Sequence, residues 1–89
     1  MKIEVKNLTP EEIEKMGIKS WPIWESPIKA FPWEYADVEI CYFLEGQVII
    51  ETEDGESVEI KKGDFARFPK GLKCTWKVLE PVRKHYSFE

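Results

Sequence analysis

The sequence predicts an all-β antiparallel barrel carrying one short N-terminal helix, and three observations lead there. Short runs alternate apolar and polar residues with the period of two that sends successive strand side chains to opposite faces. Turn signals built from Gly, Pro, Asp and Lys punctuate those runs at regular spacing, as sandwiches and barrels require. The length, 89 residues, gives room for one compact domain, residues 1–89, and no more.

Ile3 and Val5 alternate with Lys2, Glu4 and Lys6, the pattern of a half-buried strand. Thr9-Pro10-Glu11-Glu12 then reads as a helix start: Thr9 is the N-cap, Pro10 takes the first helical position, and Glu12 closes a capping box. Gly17 supplies the left-handed stop, leaving two turns with Ile13 and Met16 as apolar contacts. Pro22, Pro27 and Pro32 break the next stretch into short extended pieces suited to a sheet edge. Glu39–Leu44 reads as a strand, Glu45-Gly46 as a turn, and Val48–Thr52 as the returning strand. Glu53-Asp54-Gly55 is a hairpin turn before Ser57–Lys61. Lys62-Gly63-Asp64 turns into Phe65–Phe68, and Pro69-Lys70-Gly71 turns again. Leu72–Leu79 and Val82–Phe88 close the chain, split by Pro81.

Alternation assigns the faces. Leu72, Cys74, Trp76 and Val78 share one side, which must be interior; Lys73, Thr75 and Lys77 share the other. In the last strand Val82, Lys84, Tyr86 and Phe88 point inward, while Arg83, His85, Ser87 and Glu89 point out. Lys84 is the anomaly, because a buried ammonium is costly unless it is paired or neutral. The strand from Glu39 is ambiguous: Glu39, Cys41 and Phe43 oppose Ile40, Tyr42 and Leu44, and both sets are largely apolar. With the first set inside, Glu39 becomes the partner of Lys84. Phe31, Trp33 and Tyr35 form an aromatic face upstream.

Composition excludes several classes. Apolar residues at 43% supply a core, so disorder is not expected. A net charge of −4 with no basic patch argues against nucleic acid as a partner. No apolar run approaches the ~18 residues of a membrane helix, and the N-terminal residues carry no signal-peptide core. A cytoplasmic protein is expected; Cys41 and Cys74 could pair, although a cytosol keeps most thiols reduced. Eleven Lys and fourteen Glu beside one Gln and one Asn suggest a thermophile's surface.

Two stretches carry a family resemblance. Glu39 and Gly46 have the separation of the Glu and Gly in the first cupin motif, and Gly63, Pro69 and Gly71 fall at the offsets of the second. The chain therefore resembles the cupins, whose fold is an antiparallel jelly-roll β-barrel. Trp76 and the closing Glu80-Pro81-Val82-Arg83-Lys84-His85-Tyr86 resemble the small single-domain cupins related to ureidoglycine aminohydrolase, a manganese enzyme with two such domains. The metal set that the resemblance implies is largely missing. The paired first-motif histidines fall on Trp33 and Tyr35, or on Pro32 and Glu34; the second-motif histidine is Cys74, and the final Asn is Val78. With His85 as the one histidine, a three-His site is arithmetically impossible.

The expected site follows. Glu39 is a general acid/base or a metal ligand, with an ion pair to Lys84 as the competing role. Lys84 and Tyr86 offer a donor and a phenol to an anionic or carbonyl substrate. Trp33, Tyr35 and Trp76 are cavity walls. Cys74, with Glu39, is the remnant of a metal site for at most one divalent ion. Cys41 is either a further site residue or a small buried hydrophobe. Three functions compete: an enzyme acting on a small nitrogenous or carboxylated molecule, a non-catalytic binding module, and a homodimer subunit joined through the Trp21–Pro32 segment with a vestigial pocket.

Overall fold

The structure is a computed structural model that describes residues 2–89. Among these, the order is β1 (Glu4–Asn7), α1 (Pro10–Lys15), a 3-10 turn (Ile18–Ser20), β2 (Ile23–Ser26), β3 (Ala30–Glu34), β4 (Glu39–Thr52), β5 (Ser57–Lys61), β6 (Asp64–Phe68) and β7 (Lys73–Phe88). All strand pairings are antiparallel.

Local chemistry sets α1 as expected. The Glu12 amide donates to the Thr9 hydroxyl at 3.2 Å, and the Thr9 amide donates to the Glu12 carboxylate at 3.0 Å. That hydrogen bond to the Thr9 backbone holds the Glu12 carboxyl below its usual range. Gly17 ends the helix at φ +67°.

Two joints differ from the sequence reading. Glu45-Gly46 is not a hairpin turn, and Pro81 does not end a strand. Both lie inside the long central pair β4 and β7, which runs from Glu39↔Phe88 to Thr52↔Cys74. Register shifts between Phe43 and Val48 mark β-bulges, which bend a strand without ending it. Proline, lacking an N–H, is tolerated at such an irregular stretch of ladder. A Cβ on Gly46, at φ +96°, would stand 2.3 Å from the Pro81 carbonyl oxygen. The two backbones meet there and fold the pair over on itself.

That bend makes two layers. In one, β6 and β2 flank the first half of β4 and the second half of β7, with β1 beyond β6. In the other, β5 and β3 flank the remaining halves. The layers close on Phe43, Val48, Ile50, Ile60, Phe68 and Val82, all fully buried. The result is the antiparallel jelly-roll barrel expected, with the proline-broken β2 and β3 at its edges.

A second, smaller core lies outside the first layer, where Ile18, Ile40 and Phe65 pack with Leu8, Ile13, Trp21 and Tyr42. It corrects the reading of His85. The ring does point away from the barrel interior, but the segment from α1 to Trp21 covers it. His85 is 7% exposed, with Nδ1 2.9 Å from the Trp21 carbonyl oxygen. Met16, expected to pack beneath the helix, is exposed instead.

The Lys- and Glu-rich surface yields two separate exposed ion pairs among the described residues, Arg67–Glu89 and Lys77–Glu51. Isolated surface pairs contribute little. Among the described residues no helix is long and apolar enough to cross a membrane.

Candidate functional site

The inward face of β4 begins with Glu39, Cys41 and Phe43, which settles the ambiguity in that strand. Cross-strand register sets Glu39 opposite Phe88 and Phe43 opposite Lys84. Glu39 and Lys84 therefore stand two pairs apart on the same face, and the long lysine stem spans the gap. Lys84 Nζ donates to Glu39 Oε2 at 2.8 Å, with both residues under 10% exposed. This is the buried ion pair that strand alternation suggested.

Aromatic rings enclose the ammonium. Its nitrogen lies 4.6 Å from the Trp76 ring centre, 5.0 Å from Trp24, 5.9 Å from Phe43 and 6.0 Å from Phe68. Cation–π attraction strengthens when both partners are desolvated, so the rings and the carboxylate together hold this charge inside the barrel. Trp24 is in register with Lys84 on β2, whereas Trp76 comes from the opposite layer.

A cavity of about 210 Å³ opens beside the pair. Glu39, Lys84, Trp24, Tyr86 and Phe88 line it from one layer, and Phe31, Trp33 and Trp76 from the other. Tyr35 completes it from the segment after β3. Two backbone bonds clasp that segment to the Pro-x-Gly turn: Tyr35 N–H to the Leu72 carbonyl at 2.9 Å, and Gly71 N–H to the Tyr35 carbonyl at 2.7 Å. Trp76 Nε1–H donates to the Tyr35 hydroxyl at 3.1 Å, and the Tyr35 ring stacks on Phe68 at 4.7 Å. Burial, reinforced by the Glu39 carboxylate, raises the Tyr35 phenol well above its ordinary value, so it stays protonated. Trp33 and Phe88, both about half exposed, stand at the rim.

Six residues expected at the site thus converge: Glu39, Lys84, Tyr86, Trp33, Tyr35 and Trp76. The two cysteines do not join them. Cys41 is wholly buried beneath the cavity wall, and burial pushes its thiol up to about 12. It packs in the core, the alternative the sequence left open. Cys74 is buried in the core as its strand alternation suggested, at the floor of a separate groove bordered by Pro32, Glu34, Glu51 and Glu53, and burial raises its thiol to about 11. Both thiols are free. Among the described residues no three His, Cys, Asp or Glu side chains gather into a metal-holding group. The carboxylate that would ligate a metal faces a lysine ammonium instead, so these residues do not fit a divalent ion.

Trp24 was missed in the sequence. Its signal was present: between Pro22 and Pro27, Trp24 and Ser26 alternate with Ile23 and Glu25. The run was too short to orient without its partner strand.

Comparison with known proteins agrees with this architecture. A family model described as the EutQ-like cupin domain matches residues 13–86. A DUF861 family protein from Thermotoga maritima is 49% identical with a TM-score of 0.98, and the match covers 99% of this chain and 100% of that one. The EutQ protein of Clostridium difficile is 25% identical with a TM-score of 0.67, over 94% of this chain and 64% of that one. A DUF861 family protein of unknown function from Pseudomonas syringae pv. tomato is 28% identical with a TM-score of 0.65, over 72% of this chain and 28% of that one. The chain thus spans under two thirds of the last two. Among curated proteins, none matches it.

Proposed function

The chain belongs to the EutQ-like cupin family, and from that premise we propose that it is a non-catalytic binding cupin, taking a small molecule into the barrel interior. One observation carries the reading: the interior carboxylate is neutralised by Lys84 within an aromatic cavity that remains open to solvent at its rim. Cavities that join apolar walls to a few convergent polar groups are the usual form of a ligand site. At about 210 Å³ the space lies below the ~300–1,000 Å³ of drug-sized sites, which limits the ligand to a fragment-sized molecule. Trp24, Trp76 and Tyr35 form the walls, and Lys84 and Glu39 supply the polar end, with Tyr86 beside them.

A screen of fragment-sized metabolites by protein-observed NMR tests it. Binders are expected to move the Trp24 and Trp76 indole signals and to remain chemically unchanged. An absence of binders, or binders that leave those signals fixed, overturns the proposal.

A catalytic reading has one observation in its favour. Among the described residues Glu39 Oε1 is free of protein partners, so it is placed to move a proton while Lys84 and Tyr86 orient a substrate. C–N bond hydrolysis of the ureidoglycine aminohydrolase type belongs to this reading, without its metal. Turnover of a bound fragment, lost in Glu39→Gln, would establish it. We also propose a homodimer joined along the β2–β3 edges, since unpaired strand edges invite pairing. Light scattering that gives the 10.5 kDa of one chain overturns that part.

A further inference from the structure

We propose that the cavity selects an uncharged, planar carboxamide or lactam, read edge-on by the Lys84–Glu39 pair; this rests on the binding reading above. The inference starts from a count of polar valences. An ammonium has three hydrogens to donate, and among the described residues the Lys84 nitrogen gives one to Glu39 Oε2 and finds no other acceptor. Among the same residues Glu39 keeps Oε1 without a protein donor. A donor and an acceptor therefore stand side by side, joined by their own 2.8 Å contact. An amide edge is the complement of that pair: its carbonyl oxygen accepts from Lys84 and its N–H donates to Glu39 Oε1. The Tyr35 hydroxyl already accepts from Trp76 Nε1, and its own hydrogen meets no acceptor among the described residues, which leaves a second donor for the same carbonyl.

Charge decides against the alternatives. One acid and one base line the cavity, so the site is neutral as it stands. A carboxylate ligand brings an unpaired negative charge beside Glu39, and an ammonium ligand brings a second cation into a cage Lys84 already fills. Each adds a buried charge without a counter-charge, which is costly. A ligand with a carbonyl and no N–H displaces water from Glu39 Oε1 without replacing its hydrogen bond, and such a loss discriminates between ligands. The walls set the shape. Trp24, Phe31 and Trp76 line the cavity with aromatic surface, which suits a planar body.

Four probes of one shape test it by calorimetry and by the indole NMR signals: benzamide, acetophenone, benzoate and benzylamine. Benzamide is expected to bind at least about tenfold more tightly than each of the others, the scale of a missing hydrogen bond in a buried site. In the double variant E39M/K84M, which leaves no orphan charge, the four are expected to converge to within about threefold. Tighter binding of benzoate or benzylamine than of benzamide overturns the inference while leaving the binding reading in place. Failure of all four at the cavity overturns the inference and counts against the binding reading together with the wider fragment screen.

Discussion

Lys84 is the residue on which most depends, because its neighbours were assembled to keep a charge indoors. Removing one member of a buried pair leaves the other uncompensated, at a cost of about 3–5 kcal/mol. Replacing both with apolar side chains of similar length removes the desolvation cost as well, and such exchanges are often close to neutral. Lys84→Met is therefore expected to lose about 3–5 kcal/mol in urea unfolding, and E39M/K84M to recover at least half of that loss. A double variant as unstable as the single one would mean that Lys84 acts through packing against Trp24 and Trp76, not through its charge. The pair was half legible in the sequence: Lys84 breaks an otherwise apolar alternation, and Glu39 becomes its partner once the inward face of β4 is known. Two odd charges on the inward faces of adjacent strands have few ways to be satisfied except by each other.

At the scale of elements, the bend in β4 and β7 matters most. Gly46 combines a left-handed φ with a backbone neighbour closer than any Cβ allows, whereas Gly55, at φ +91°, has open space around it. Gly55→Ala should therefore show only the cost of the left-handed conformation, about 1–2 kcal/mol. Gly46→Ala adds overpacking of about 1–3 kcal/mol, and because its neighbour is backbone it cannot be relieved by a rotamer change. Thermal unfolding is expected to rank Gly46→Ala clearly below Gly55→Ala, and equal losses would show that the corner can shift to admit a methyl group. This corner also shows the limit of reading elements one at a time. Glu45-Gly46 has the composition of a turn, and only its pairing with β7 on both sides reveals a bend within one strand. The α1 cap was read correctly because every group in it lies within four residues of Thr9. Likewise the cover over His85 went unseen because it comes from residues about 64 positions away, at Trp21.

The whole molecule carries both thiols and the Tyr35 phenol as buried neutral groups, and this makes its stability depend on alkali. Cysteine ionises near 9.0 ordinarily, but burial moves Cys74 to about 11 and Cys41 to about 12, and Tyr35 also moves up. Each raised value means that the unfolded chain releases its proton at lower pH than the folded chain does. Between the unfolded and folded values the folded state holds more protons, so stability falls as pH rises. The window opens at about pH 9 and extends to about 11 for Cys74 and 12 for Cys41. Within it each thiol contributes a slope of up to about 1.4 kcal/mol per pH unit. Urea midpoints taken from pH 8 to pH 10.5 are expected to hold steady up to about pH 9 and then decline. Cys74→Ala should start from its own lower or higher baseline and decline less steeply, because one of the linked protons is gone. The same protonation keeps both thiols poor nucleophiles, so alkylation of the folded protein at pH 8 should be far slower than in urea. Steady stability through pH 10.5, or fast alkylation of the native protein, would require a barrel that opens to solvent around Cys41 and Cys74. An opening at Cys41 would expose the wall of the very cavity that Glu39 and Lys84 define.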